Sequence, residues 1–88
     1  MKDETILDII FNIISNNIEK KTELTLSSRF EDIGINSITY LKSIVQIEST
    51  LNFEFDDDFL DVHKVETIED LFKQVRVTII KKNKTYSS

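Results

Sequence analysis

Almost nothing in this chain can interrupt a helix. Its 88 residues include no proline and one glycine, Gly34, so the two residues that most strongly break regular backbone are confined to a single position. Hydrophobic residues make up 40% of the chain, with isoleucine prominent, which favours a compact helical bundle over a loop-rich or disordered polymer. A chain of this length is one domain, and it buries only about 60–65% of the surface its unfolded form exposes. That leaves room for one core and no deep cleft.

The apolar periodicity divides the chain. Over residues 5 to 18, Ile6, Ile10, Ile13, Ile14 and then Asn17 or Ile18 fall at helical spacing, with Asp8, Asn12 and Asn16 opposite; this predicts a first helix. From Glu19 to Asn36 the period dissolves into a long connection, in which Leu24, Leu26, Phe30 and Ile33 can pin the loop to the core. A loop this long in a small domain is more often functional than not. A second helix is expected from Ser37 to Leu51, with Asn36 as its N-cap. The alternation Asn52-Phe53-Glu54-Phe55 ends it, and Asp56, Asp57 and Asp58 open a short third helix through Phe59, Leu60 and Val62. The last helix starts at Thr67, where Thr67-Ile68-Glu69-Asp70 resembles a capping box. Its apolar face is Ile68, Leu71, Phe72, Val75 and Ile79, and residues 81–88 are read as a polar, frayed tail to a domain covering residues 1–80. The expected core comprises Ile10, Ile14, Phe30, Ile44, Ile47, Leu51, Leu71, Phe72 and Val75.

Composition removes several function classes. A formal charge of −5 opposes binding to nucleic acid or an anionic membrane, both of which require a basic footprint. Without cysteine the chain's own side chains form no disulfide, thiolate metal site or thiol nucleophile. Apolar runs such as Ile9-Ile10-Phe11 are too short to span a bilayer, and Asp3, Glu4 and Asp8 argue against a secretory leader; a cytoplasmic protein is expected. His63, the sole histidine, lacks partners at metal-ligand or triad spacing, and the aspartates at 56–58 lack the spacing and glycine of a calcium loop. Lys81, Lys82 and Lys84 suit the C-terminal end of a helix.

The second helix has more apolar surface than a core needs. Tyr40, Ile44, Ile47 and Leu51 form one charge-free row. Ile38, Leu41 and Val45 form another, continued by Glu48 and flanked by Lys42. A row ending in glutamate suits an exposed docking strip, although small bundles also bury broad faces. The serine beside that row decides in favour of exposure. Ser37 opens the helix three residues after the only glycine, where free N–H groups and the helix dipole favour a phosphate ester. A serine next to asparagine at a helix start is, by itself, usually a cap.

Taken whole, Gly34-Ile35-Asn36-Ser37-Ile38 resembles the signature of the acyl and peptidyl carrier protein family: a glycine, then an Asp, His or Asn residue before Ser-Leu or Ser-Ile. The similarity continues through Leu41, Ile44, Val45, Ile47 and Glu48, then Leu51-Asn52-Phe53-Glu54-Phe55 and Thr67-Ile68-Glu69-Asp70-Leu71. The resemblance implies an all-α, four-helix carrier bundle with three main helices, a short third helix and a long first loop. It further implies a non-enzymatic, stand-alone, monomeric protein whose Ser37 accepts 4'-phosphopantetheine from coenzyme A through a phosphopantetheinyl transferase. The arm's thiol then holds acyl or aminoacyl groups as thioesters, the cofactor supplying the reactive atom and the protein its delivery.

Fatty-acid members of that family usually show aspartate before the serine and a densely acidic second helix. The corresponding surface here is Asn36, Thr39, Leu41, Lys42, Val45 and Glu48. Its neutral, apolar character resembles carriers of nonribosomal peptide and related secondary-metabolite pathways. The expected partners are an adenylating or other acyl-loading enzyme and downstream synthase, condensation or tailoring enzymes, bound through Asn36, Ile38, Thr39, Leu41, Lys42 and Val45, with Phe59, Leu60 and Val62 as a second recognition segment. A fatty-acid or polyketide carrier is the alternative within the family, and an unmodified helical adaptor is the alternative outside it.

Overall fold

The computed structural model describes residues 2–19, 22–53 and 65–87, with side chains as far as residue 80. Among the described residues there are three helices: α1 (Asp3–Asn17), α2 (Ser37–Leu51) and α3 (Ile68–Ser87). The expected short third helix, with Phe59, Leu60, Val62, His63 and the aspartates at 56–58, lies outside the described residues.

Each helix starts for a local reason. Asp3 and Glu4 occupy the first turn of α1, where carboxylates complement the positive end of the dipole; this puts the helix start ahead of the expected position 5. Asn36 caps α2 by accepting from the Thr39 backbone N–H at 2.9 Å. Thr67 and Asp70 form the anticipated capping box: Thr67 Oγ1 accepts from the Asp70 N–H at 3.1 Å, and Asp70 Oδ2 accepts from the Thr67 N–H at 3.3 Å.

The ends are equally local, with one correction. α1 stops at Asn17, and Ile18 turns extended while staying buried. α2 stops because Asn52 adopts a left-handed conformation with φ 57°, which allows Phe53 to return its N–H to the Glu48 carbonyl at 3.1 Å. α3 does not fray at residue 81 as the polar composition suggested; its backbone remains helical through Ser87. No proline or glycine follows Thr67, so the helix meets no stop signal, and lysine is a good helix former.

One cluster joins all three helices. Ile6, Ile10 and Ile14 of α1 meet Tyr40, Ile44 and Ile47 of α2 and Ile68, Leu71 and Val75 of α3, all buried. Of the expected core, Leu51 and Phe72 are only half-buried and pack at its margin. Phe72 faces outward enough for the Arg76 guanidinium to lie 5.9 Å from its ring centre, a cation–π contact. The loops contribute Phe30, Ile35, Phe53 and Val65. Phe30 meets the Tyr40 ring edge-on, centroids 5.5 Å apart.

The long first loop is part of this structure. Leu24, Leu26 and Ile33 pack against the core as anchors. Phe30 donates its N–H to the Glu66 carbonyl at 2.9 Å, and the Ser28 and Leu26 carbonyls accept from the Ile68 and Glu69 N–H groups at 3.1 and 2.9 Å. The loop thus satisfies the first N–H groups of α3, which no intrahelical partner can reach. It thereby locks the segment ahead of α2 onto the start of α3.

Candidate functional site

The candidate serine sits where three backbone features converge. Ile33 and Gly34 close a turn on the Arg29 and Glu31 carbonyls at 3.1 and 3.4 Å, and Ile35 donates to the Phe30 carbonyl at 2.8 Å. Gly34 has φ 82°, a left-handed value that residues with a Cβ resist, although a Cβ there would meet nothing within 4 Å. Glycine is required for its backbone angle and not for space. Buried Ile35 then anchors the turn to the core, and Asn36 opens α2.

This arrangement delivers an exposed Ser37 as the first residue of α2. Asn36 Oδ1 is committed to the cap, accepting from both the N–H and the Oγ1–H of Thr39 at 2.9 and 3.0 Å. Among the described residues, the Ser37 and Ile38 N–H groups have no acceptor. The other two helices fill their starts with Asp3 and Glu4 or with Glu69 and Asp70, whereas α2 has no acid in its first turn. Its positive end therefore stays uncompensated beside a free hydroxyl, which suits an anionic ester.

Two depressions flank the Gly34–Asn36 turn, each about 550 Å³. One contains Ser37, has an apolar floor of Phe30, Ile35 and Val65, and is rimmed by Arg29, Glu31 and Glu66. The other does not include Ser37, and among the described residues its charged lining is Glu19 and Asp32.

The apolar row on α2 is exposed. Ile38 is 79% accessible, Leu41 41% and Val45 60%, whereas Tyr40, Ile44 and Ile47 on the other face are fully buried. Lys42 beside the row is also exposed, and Thr39 is half-buried by its bonds to Asn36. Phe59, Leu60 and Val62 lie outside the described residues.

The family described as the phosphopantetheine attachment site matches residues 8–75, most of the chain and all of the region just described. The chain belongs to that family. It is a phosphopantetheine-bearing carrier protein and not an enzyme, and such carriers work with a phosphopantetheinyl transferase and with synthase enzymes. No curated protein and no solved structure matches it. Among the described residues, no helix of the carrier is long and apolar enough to cross a membrane.

Two polar features of the carrier were not legible in its sequence. Asn17 Nδ2, at the end of α1, donates to Ser43 Oγ at 3.0 Å and to Gln46 Oε1 at 2.9 Å on α2, while Ser43 Oγ donates to the Thr39 carbonyl at 2.9 Å. This bracket satisfies the fully buried Ser43 and fixes the register of α1 against α2. The second is an ion pair on the rim of the serine groove, Arg29 to Glu66 at 3.8 Å. Both join residues far apart in the chain, and single-sequence periodicity has no term for such pairs.

Proposed function

We propose that Ser37 is the residue that takes the 4'-phosphopantetheine arm and that the carrier presents acyl or aminoacyl groups to enzymes of nonribosomal peptide or related secondary-metabolite synthesis. The carrying observation for attachment is an exposed hydroxyl at the one described helix start without its own carboxylates, beside two free N–H groups. These residues fit a phosphodiester: the N–H groups and the dipole stabilise its charge, and the Gly34 turn holds the hydroxyl clear of the core. Once attached, the arm supplies a terminal thiol that carries its cargo as a thioester.

The pathway reading rests on the docking face. Ile38, Leu41 and Val45 form an exposed apolar strip beside Ser37, and α2 has a single acid, Glu48, and a single base, Lys42. Recognition through this strip relies on apolar burial more than on charge, unlike the acidic second helix of fatty-acid carriers. Asn36, Thr39 and Lys42 border the strip, and Phe59, Leu60 and Val62 are proposed from the sequence as a second recognition segment.

Intact mass tests the attachment. Incubation with coenzyme A and a broad-specificity phosphopantetheinyl transferase is expected to add one phosphopantetheine unit to the wild type and none to Ser37→Ala. A wild type left unmodified while a control carrier is loaded refutes the reading. Loading by adenylating enzymes but not by fatty-acid synthase partners is the expected pathway result; the reverse preference assigns the carrier to fatty-acid synthesis.

A further inference from the structure

The groove beside Ser37 has a cation that the carrier function, as described so far, does not use. Arg29 and Glu66 face each other across its rim at 3.8 Å, and their side chains are 54% and 64% exposed. An ion pair that long and that exposed is weak, because water screens it and two long side chains must be held in place. The backbones beneath it are fixed. Arg29 is bridged to Thr67, and the Phe30 N–H reaches the Glu66 carbonyl at 2.9 Å. The guanidinium is therefore a weakly held head on an anchored stem, in the same groove as the serine.

A phosphodiester on Ser37 brings a fixed anion to this groove. Guanidinium binds phosphate oxygens through paired, charge-assisted N–H bonds, a geometry the long contact to Glu66 does not achieve. Glu31 and Glu66 repel the same anion from the rim, so among the described side chains lining the groove Arg29 is the one whose charge attracts it, adding to the N–H groups at the start of α2. Among the described residues, the charged groups lining the depression on the other side of the turn are Glu19 and Asp32, and Ser37 is not part of it. The apolar floor of Phe30, Ile35 and Val65 suits the branched hydrocarbon portion of a pantetheine chain lying over it.

Resting on the assignment of Ser37 as the attachment point, we propose that modification makes Arg29 exchange Glu66 for the phosphodiester, drawing the first part of the arm into the Phe30–Ile35–Val65 groove. Arg29 is then a positioning residue. It sets where the arm leaves the protein surface and releases it when a partner enzyme competes for the phosphate or the groove.

The exchange is read on apo and holo protein by NMR, with intact mass recording modification separately. In the wild type, the Arg29 Nε–Hε resonance and the Val65 and Ile35 amides are expected to shift between apo and holo forms, and the phosphorus resonance is expected to differ from that of the same phosphodiester in an unfolded peptide. Arg29→Gln should return the phosphorus resonance toward the peptide value, Arg29→Lys should restore part of the difference, and Glu66→Gln should enlarge it by removing the competitor. Added salt should shrink it in the wild type. Complete modification with an unmoved Arg29 resonance, or a phosphorus resonance indifferent to Arg29→Gln in a folded variant, overturns the exchange while leaving the Ser37 assignment standing. Absence of any mass gain overturns both.

Discussion

Substitutions at two positions of α2, two residues apart, test whether its faces are assigned correctly. Ile47 is fully buried and Val45 is 60% accessible. Trimming Ile47 to valine removes one methylene from a closed site and is expected to cost about 0.5–1.5 kcal/mol, and Ile47→Ala about 2–5 kcal/mol, the spread reflecting how far the site collapses. Val45→Asp buries nothing new, and its charge faces Lys42 three residues before and Glu48 three residues after, so attraction and repulsion of about 0.2–0.5 kcal/mol each largely cancel. Its net effect should stay within about 0.5 kcal/mol. With a urea slope near 1 kcal/mol/M, at the low end for small proteins, Ile47→Val lowers the midpoint by about 0.5–1.5 M and Val45→Asp by no more than about 0.5 M. Ile47→Ala removes a large share of a stability on the order of 5–10 kcal/mol and can leave the chain partly unfolded without denaturant. Far-UV circular dichroism against urea measures all three. The same Val45→Asp protein, once modified, should fail to receive or pass on cargo with its partner enzymes. A midpoint loss from Val45→Asp as large as that from Ile47→Ala would show the strip to be buried and refute the two-face argument; normal transfer by the folded variant would place recognition elsewhere, Phe59 to Val62 being the next candidate segment.

The remaining expectations concern the framework around Ser37. Gly34→Ala should lose about 1–2 kcal/mol through backbone strain alone, since its φ is 82° and nothing crowds its Cβ, and Gly34→Asn should lose less because asparagine tolerates this conformation; equal loss from both in chemical denaturation would point to packing instead. Asn36→Ala should cost about 1 kcal/mol by removing the acceptor for Thr39, with Asn36→Asp retaining the cap, and an unchanged melting temperature for Asn36→Ala would refute that role. Thr67→Ala should lower stability by about 0.5–2 kcal/mol through loss of the α3 cap, and hydrogen exchange should report the loosening first at the Asp70 amide.

The sequence's legibility followed the range of the interactions. The boundaries of α2, the cap at Asn36 and the Thr67–Asp70 box depend on residues within one helical turn of each other, and all were anticipated. So was the separation of Ile38, Leu41 and Val45 from Ile44 and Ile47: the helix pattern alone left burial or exposure of the first row open, and Ser37 beside it decided for exposure. The continuation of α3 past Ile80 was missed since polarity was taken as an end signal; polarity marks solvent exposure, and helix ends need a backbone reason. Leu51 and Phe72 were placed deeper than they lie, because periodicity gives the direction of a side chain and not its distance from the centre of the core.

By itself the sequence determined that the chain is helical, where its second helix starts, and that a serine opens it behind a left-handed glycine turn. Those are consequences of local backbone preference and of apolar spacing. Only the tertiary structure decided that the loop's Ser28 and Leu26 carbonyls complete the start of α3, that Asn17 brackets Ser43 and Gln46, and that Arg29 and Glu66 meet on the rim of the serine's groove. These partners are separated by tens of residues along the chain, and they meet only because burying Ile6, Ile10 and Ile14 against Ile44, Ile47, Leu71 and Val75 fixes how the helices lie against one another.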